Sequence, residues 1–326
     1  TKLESIVIEL AHRNGLESAF FDWLENANQF CNSLVDRIVP GKPDADTCQA
    51  LYDELGYEDK LITLSEVFRL WAIEGDEHVK QVLSFATTDD GIFIEPDINL
   101  FRELKLRLLN GTHTLSCGLA YLAGYDTVIS AMQDEIMASY ISNLMLAELG
   151  LAIPYPMDDK RPQRFGMQVI DRFRNPHLNH QWLSITLNYT SKMKMRNVAT
   201  LLRYYEIFDC VPQYFALGFA AYLYFMKPVA KEGFVYFGER DGNPYPIQDE
   251  KAEYFYQKWQ QNNTAELVEK VLQDKSLWDT DLSLLPGFTQ NVTDYLENML
   301  NNGVKHSLES FFLRHPSQVA ETNEIL

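Results

Sequence analysis

Hydrophobic residues recur at helical spacing along most of this chain. Gly15 ends the first predicted helix, whose apolar face consists of Leu3, Ile6, Val7, Leu10 and Ala11. A second helix is predicted over residues 18–28, with Ser18 as its N-cap. From Ile98 onward the pattern is almost entirely helical. It predicts helices near residues 98–109, 112–123, 127–149, 163–174, 178–206, 212–226, 249–260, 263–273 and 288–313.

Two short stretches near the N-terminal end predict β-strands instead. Residues 30–41, FCNSLVDRIVPG, lead β-branched and apolar residues into a Pro-Gly turn, and residues 68–75, FRLWAIEG, are a second candidate. Residues 238–246, GERDGNPYP, are rich in turn formers and are predicted to be a loop. We therefore expect a mainly α fold. A connecting segment with a small α/β lobe would occupy residues 1–95, and a helical domain residues 96–326.

Composition is that of an ordinary globular protein, with 46% hydrophobic residues, and charge limits its partners. The longest apolar run, residues 214–226, is shorter than the roughly 18–20 residues that span a bilayer, and predicts a buried helix. The net charge of −18 opposes nucleic acid or an anionic membrane as a partner, because their phosphates would be repelled. Four cysteines without a C-x-x-C pair predict reduced thiols in a cytoplasmic protein: Cys31, Cys48, Cys117 and Cys210.

Several motifs of common enzyme classes are missing from the sequence. No two glycines have the G-x-G spacing of a dinucleotide-binding loop, and neither a phosphate-binding loop nor a G-x-S-x-G turn occurs. His177 and His180 are three residues apart and would share one face of a helix. Two histidines without a nearby third ligand are more typical of structural or solvated residues than of a metal site, so we expect no metal.

One leucine-rich helix carries three residues suited to chemistry. In residues 105–115, KLRLLNGTHTL, the apolar pattern is interrupted by Lys105, Asn110 and His113. At about 100° per residue, Asn110 lies about 140° and His113 about 80° from Lys105, if the helix continues through Gly111. A snorkelling lysine, an asparagine at a helix end and a buried structural histidine would give the same pattern.

The functional interpretation of these residues has definite chemistry. A lysine desolvated among leucines loses proton affinity and can act as a general base. An asparagine amide can donate to an oxygen that gains negative charge, and a histidine can orient the substrate. Such a set suits the oxidation of a secondary alcohol, or the reduction of a ketone, without a metal.

The spacing K-x-x-x-x-N-x-x-H of Lys105, Asn110 and His113 resembles the motif of the polyol-specific long-chain dehydrogenases, the mannitol dehydrogenase family. Three further segments resemble blocks of that family and occur in the family's order. They are FCNSLVDRIVPG at residues 30–41, RFRNPHLNHQWLSI at 172–185 and GERDGNPYPIQD at 238–249. Together the four blocks span most of the chain.

The resemblance implies an NAD-dependent oxidoreductase in which Lys105 is the catalytic acid and base, while Asn110 and His113 hold the reacting oxygen. The family lysine is often preceded by an acidic proton-relay residue. Here Arg102 stands three residues before the lysine, and only Glu103 could substitute. The family's second oxyanion asparagine belongs to a segment upstream of this sequence.

The resemblance also implies a substrate site and a missing domain. Asp36 matches a substrate-site position, Lys192 matches a substrate-binding lysine, and Asn188 is a weaker match. Family members begin with a nucleotide-binding α/β domain, and this chain has no glycine fingerprint. We therefore expect that domain to be absent, the chain to be the helical C-terminal substrate domain, and the chain alone to be inactive.

A basic stretch interrupts this acidic chain between residues 160 and 203, where Asp171 is the only acid. Its basic residues are Lys160, Arg161, Arg164, Arg172, Arg174, Lys192, Lys194, Arg196 and Arg203. A solvated helix face would explain the stretch, and so would an anion site. Lys192 and Arg196 share a helix face, whereas Lys194 points about 200° away from Lys192. We predict that Lys192 and Arg196 bind a substrate carboxylate.

Within the family, the four blocks are most similar to members that interconvert the sugar acid altronate and its keto form, tagaturonate. Mannitol 2-dehydrogenase or fructuronate reductase activity is an alternative within the same class. A non-catalytic helical binding or dimerisation module is an alternative from another class. The choice between NAD and NADP and the oligomeric state stay open.

Overall fold

The computed structural model describes residues 1–158 and 160–317. The chain divides into two units, Thr1–Arg102 and Glu103–Leu326. No helix in these described stretches is long and apolar enough to cross a membrane. All four cysteines are free: Cys48 and Cys117 are buried, Cys31 is partly buried and Cys210 is exposed. The cytoplasmic location inferred from these thiols stays a prediction.

The first unit contains a three-stranded sheet in the order β1 (Ser33–Asp36), β2 (Leu70–Glu74) and β3 (Ile92–Glu95). Strands β1 and β2 are antiparallel, whereas β2 and β3 are parallel. Side chains of Ile73 and Ile94 pack with Val79 in a small core. The sequence pattern predicted β1 and β2 but missed β3.

The first unit also contains four helices that precede or lie between these strands along the chain. They are α1 (Lys2–Arg13), α2 (Ser18–Ala27), α3 (Ala45–Leu55) and α4 (Glu77–Val82). A capping box between Thr1 and Glu4 begins α1. The N-cap of α2 is Glu17, which makes no side-chain capping bond, so the prediction of Ser18 as the cap was wrong.

The second unit is mainly helical in its described part. Helix α5 (Asn99–Leu104) precedes it, and the others are α6 (Thr112–Leu122), α7 (Val128–Met132), α8 (Glu135–Asn143), α9 (Lys160–Phe173), α10 (Trp182–Ile185), α11 (Tyr189–Met193), α12 (Ala199–Ile207), α13 (Gln213–Phe225), α14 (Ala252–Gln261), α15 (Thr264–Gln273), α16 (Lys275–Trp278), α17 (Phe288–Asn302) and α18 (Val304–Arg314). The apolar helix α13 is central and packs against α6 and α17.

Within residues 1–158 and 160–317, three segments are π-helical: Lys105–Gly111, Leu144–Glu148 and Lys194–Val198. In a π-helix the hydrogen bonds join residues i and i+5, so each turn is wider than in an α-helix. The first segment, π1 (Lys105–Gly111), joins α5 to α6, and the third, π3 (Lys194–Val198), joins α11 to α12. Such segments are frequent at functional sites, and π1 and π3 carry residues predicted above to act in a site.

A second sheet consists of the antiparallel strands β4 (Ala230–Glu232), β5 (Val235–Arg240) and β6 (Asn243–Pro246). The prediction of a loop over residues 238–246 was therefore wrong. Asp241 and Gly242, with φ of 51° and 78°, form the tight turn between β5 and β6. Positive φ at both central residues is the signature of a hairpin turn, for which Asp-Gly is a preferred sequence.

Candidate active site

Lys105 and Asn110 both belong to π1, five residues apart. Five residues along a regular α-helix would turn them about 140° apart, whereas the i to i+5 geometry of a π-helix places the two on the same side. Both side chains are partly buried. The helix continues through Gly111 into α6, which was the condition for placing His113 on this side as well.

His113 is a buried residue whose ring is enclosed by aromatic groups. It is 4% exposed and stacks on Phe173, with ring centroids 4.2 Å apart. The rings of His180 and Trp182 meet it edge-on at 5.3 Å and 5.8 Å. Within the described residues its Nε2 atom has no hydrogen-bond partner. The site therefore contains a buried imidazole nitrogen whose hydrogen-bonding capacity the described residues do not use.

The charge state of His113 follows from its surroundings. Burial lowers its pKa well below the usual value, and the nearby His180, Arg196, Arg172 and Lys192 lower the pKa further. His113 is therefore neutral at physiological pH, and its ring presents one donor and one acceptor. These basic side chains are therefore close enough to His113 to affect its charge.

Lys192 and Arg196 lie on α11 and π3, close to the helix that carries Asn110. The Nζ atom of Lys192 donates to the carbonyl of Ile185 at 3.0 Å, and burial followed by the charge of Arg196 lowers the pKa of Lys192. The Nη1 atom of Arg196 donates to the hydroxyl of Thr114 at 3.0 Å and lies 3.5 Å from the carbonyl oxygen of Asn110. The structure thus brings together four of the residues predicted to form a site: Asn110, His113, Lys192 and Arg196. Lys105 belongs to the same segment as Asn110, at the start of π1.

Further hydrogen bonds hold π1 and π3 together. Arg107, which is buried, donates through Nη1 to the carbonyl of Met195 at 3.0 Å. Its Nε atom donates to the carboxylate of Glu103 at 2.9 Å, so the one candidate for a proton relay is bound to an arginine. In the opposite direction, the amide of Asn197 donates to the carbonyl of Gly111 at 3.1 Å.

Two residues of this cluster were not predicted as site residues. Arg172 is buried at the end of α9, one residue before Phe173, and was noted only as part of the basic stretch. His180 is partly buried and was considered only with His177 as a metal pair on one helix face. The segment that contains both histidines is not helical, and His177 is exposed, so that shared face does not exist. Only the tertiary packing around His113 identifies the two missed residues.

Asn188 lies at the N-terminal end of α11, where its φ of 53° places it in the left-handed region. Its side chain is exposed. The carboxylate of Asp249 accepts hydrogen bonds from the backbone N–H of Thr190 at 2.7 Å and from its hydroxyl at 3.0 Å. Asp249 therefore joins the segment after β6 to the start of α11, which positions Lys192 one turn further on. The role of Asn188 in substrate binding stays a prediction.

Asp36 belongs to the first unit, at the end of β1, and is 1% exposed. It lines a cleft of about 220 Å³ at the end of β1 and the starts of β2 and β3. Arg37, Arg69 and Asp89 also line this cleft, and Arg69 is bound to Asp89 at 2.8 Å. The assignment of Asp36 to a substrate site stays a prediction.

Comparison with protein families identifies both units. Residues 97–300 match the family model of the mannitol dehydrogenase C-terminal domain, and residues 2–86 match that of the mannitol dehydrogenase Rossmann domain. The expectation that the nucleotide-binding domain is absent from this chain was therefore wrong. That expectation relied on the missing G-x-G spacing, but the glycine loop is a small part of such a domain. Strands β1 and β2 both lie within the matched range. The inactivity expected of the chain alone depended on the absence of that domain, so it no longer has this ground.

Curated relatives of the chain are altronate oxidoreductases. The enzyme of Halalkalibacterium halodurans is 35% identical over 314 residues, which is 94% of this chain and 60% of that protein. The enzyme of Yersinia enterocolitica is 34% identical over 316 residues, which is 95% of this chain and 63% of that protein. The chain thus spans less than two thirds of the length of these relatives.

Two solved structures share the fold. Mannitol 2-dehydrogenase of Pseudomonas fluorescens, in a ternary complex with NAD and D-mannitol, has a TM-score of 0.72 and 24% identity. The match covers 92% of this chain and 57% of that one. A substrate-free D-sorbitol dehydrogenase has a TM-score of 0.64 and 21% identity, covering 92% of this chain and 58% of the other.

Proposed function

Because this chain belongs to the mannitol dehydrogenase family, we propose that it carries the substrate site of an NAD-linked oxidoreductase that interconverts altronate and tagaturonate. The similarity to altronate oxidoreductases along 94% of the chain supports this substrate pair. The observation that carries the proposal is the group of cations near the buried, neutral His113, namely Arg172, Lys192 and Arg196, of which Arg196 lies 3.5 Å from the carbonyl oxygen of Asn110. In a chain with a net charge of −18, such a local group of cations suits a substrate that bears one carboxylate.

In the direction of reduction, the keto oxygen of tagaturonate lies against Asn110 and His113. The Asn110 amide and an imidazole N–H donate hydrogen bonds to this oxygen as it gains negative charge, which lowers the barrier. Lys105 then gives a proton from its ammonium group to the oxygen and becomes a neutral amine. In the direction of oxidation, the same amine removes the proton from the hydroxyl group.

The candidate site contains acid–base and hydrogen-bonding groups but no group that can donate a hydride. A lysine, an asparagine and a neutral histidine supply a proton and hydrogen bonds, but no electron pair that can reduce a ketone. The reaction therefore needs a hydride donor, which reduced nicotinamide provides when it is bound. Residues 2–86, which match a Rossmann domain, are the part of this chain that would contribute to holding it. The NAD in the complex of the similar mannitol 2-dehydrogenase supports NAD as the cofactor.

The proposal is tested by supplying the purified protein with NADH and either tagaturonate or the neutral ketose fructose. We expect NADH oxidation with tagaturonate and a kcat/KM for tagaturonate at least about 10-fold above that for fructose, since a charge-assisted contact contributes roughly 1.5–3 kcal/mol. Equal efficiency with fructose would favour a neutral-polyol dehydrogenase. No turnover with either ketone would favour the non-catalytic module.

A further inference from the structure

In the described part of the second unit, two neighbouring imidazole rings each have one buried nitrogen without a hydrogen-bond partner. The Nε2 atom of His113 and the Nδ1 atom of His180 are both buried, and neither has a hydrogen-bond partner among the residues that the structure describes. The two rings meet edge-on, with centroids 5.3 Å apart and an interplanar angle of 87°. Buried polar atoms are nearly always paired, and each unpaired one costs about 1–3 kcal/mol. Two such atoms together indicate a ligand with more than one oxygen.

The position of His180 does not depend on its imidazole. Its backbone carbonyl accepts a hydrogen bond from the N–H of Val128 at 2.9 Å. On its C-terminal side, Gln181 forms an isolated β-bridge with Thr127, and the N–H of Trp182 donates to the carbonyl of Asp126 at 2.9 Å. These backbone bonds hold the segment beside His113. The imidazole of His180 is therefore not needed for the hydrogen bonds that hold residues 180–182 in place.

The chemistry of a neutral imidazole distinguishes its ligand from a carboxylate. Burial and the charge of Lys192 lower the pKa of His180, so its ring is neutral and offers one donor and one acceptor. A hydroxyl group also has both functions, whereas a carboxylate only accepts. The cations Arg172, Lys192 and Arg196 are better partners for the carboxylate.

We propose that His180 binds the hydroxyl group on a carbon next to the reacting carbon of the substrate, beside the oxygen that His113 holds. This inference rests on the proposed function, in which His113 contacts the reacting oxygen. Adjacent carbons of a sugar acid carry oxygens that two edge-on imidazoles can contact together. His180 thereby selects substrates with a hydroxyl group at that position.

The test uses the full chain, with NADH and three substrates: tagaturonate and its two analogues that each lack one hydroxyl group next to the keto carbon. His180→Phe keeps a flat ring against His113 but loses both nitrogens, and His180→Asn keeps a polar atom close to the position of Nδ1. The matched control is His177→Phe, at an exposed position in the same segment.

We expect His180→Phe to lower kcat/KM for tagaturonate by about 10–100-fold, mainly through KM. His180→Asn should stay within about 5-fold of the wild type, and His177→Phe within about 2-fold. The wild-type protein should have a lower kcat/KM for one deoxy analogue than for tagaturonate. His180→Phe should have about the same kcat/KM for both substrates. If the ring of His180 served only for packing, its replacement would not make the efficiencies with the analogue and with tagaturonate equal.

Three outcomes would overturn the inference. If the wild type turns over tagaturonate but His180→Phe stays within about 3-fold of it, His180 does not bind substrate. If His180→Phe does not fold, the inference is tested with the wild type and His180→Asn. For each of these two proteins, equal kcat/KM for tagaturonate and for both deoxy analogues would then overturn the inference. If the wild-type protein does not turn over tagaturonate, this result contradicts the proposed function and therefore also the inference about His180.

Discussion

Arg107 donates a hydrogen bond of 2.8 Å to the backbone carbonyl of Arg196, and this bond joins π1 to π3. Arg107 itself is buried, with its other bonds to Glu103 and to the carbonyl of Met195. Because π1 carries Lys105, and π3 carries Arg196, Arg107 connects the segment of the proposed acid–base group with that of the proposed anion site.

Replacing Arg107 by Met should destabilise the protein and reduce its activity. The change leaves the Glu103 carboxylate without its arginine in a mostly buried position, and breaking a buried ion pair typically costs roughly 3–5 kcal/mol. The measurement is the free energy of unfolding in denaturant. The control is Arg203→Met, because Arg203 is exposed and its pair with Glu206 is worth about 0–1 kcal/mol. Equal stability of the two variants would show that Arg107 has no such role.

Replacing Arg196 by Met should weaken the binding of the substrate carboxylate. We expect the Michaelis constant for tagaturonate to rise by about 10–150-fold, while discrimination against fructose falls. Lys194→Met is the control, since Lys194 extends toward the exposed Asp279, to which it is bound at 2.7 Å. An unchanged ratio of tagaturonate to fructose efficiency in Arg196→Met would contradict the placement of the carboxylate, because an anion contact cannot be lost without altering that ratio.

Glu148, at the end of the segment Leu144–Glu148, should make stability depend on pH. Its carboxylate accepts hydrogen bonds from the backbone N–H groups of Tyr214 and Phe215 at the start of α13, and burial raises its pKa from 4.5 to about 8. The folded state therefore holds a proton that the unfolded state releases above about pH 4.5. This contribution to stability is complete below that pH and is lost as the pH rises through about 8.

The variant Glu148→Gln isolates this contribution. Between about pH 5.5 and about pH 8.5, the Tm of the wild type should fall by about 5 °C or more beyond any fall in Glu148→Gln. Thermal unfolding at both pH values measures the difference. Glu297→Gln, at an exposed position on α17, should behave like the wild type. Parallel pH profiles of the wild type and Glu148→Gln would contradict the assignment.

Hydrophobic spacing predicted the helical regions well but not their detail. A period near 3.6 residues identified α1, α13 and α15 because each has a continuous apolar face or run. The same period cannot reveal π1 or π3, since one added residue per turn is decided by tertiary hydrogen bonds such as that from Arg107 to the carbonyl of Arg196. Residues 178–206 were predicted as one uninterrupted helix, whereas residues 178–181 are not helical and the chain turns before α11 at Asn188, whose φ is 53°.

Sequence patterns also located much of the candidate site. The motif spacing selected Lys105, Asn110 and His113, and the structure brings Lys192 and Arg196 to the same cluster. His180 was missed because its partner ring is 67 residues away in the sequence, and no local pattern records that contact. The hairpin of β5 and β6 had a local signal in Asp241-Gly242, which was interpreted only as a loop.

The role of Lys105 as proton carrier is tested most directly by the turnover of Lys105→Ala with tagaturonate and NADH. If Lys105 carries the proton, kcat should fall by roughly 10²–10⁴-fold, the usual contribution of a general acid or base, while the dissociation constant for NADH changes little. Lys194→Ala, also a lysine on a π-helical segment, should retain near wild-type turnover. If Lys105→Ala keeps more than about a tenth of the wild-type kcat, Lys105 does not carry the proton.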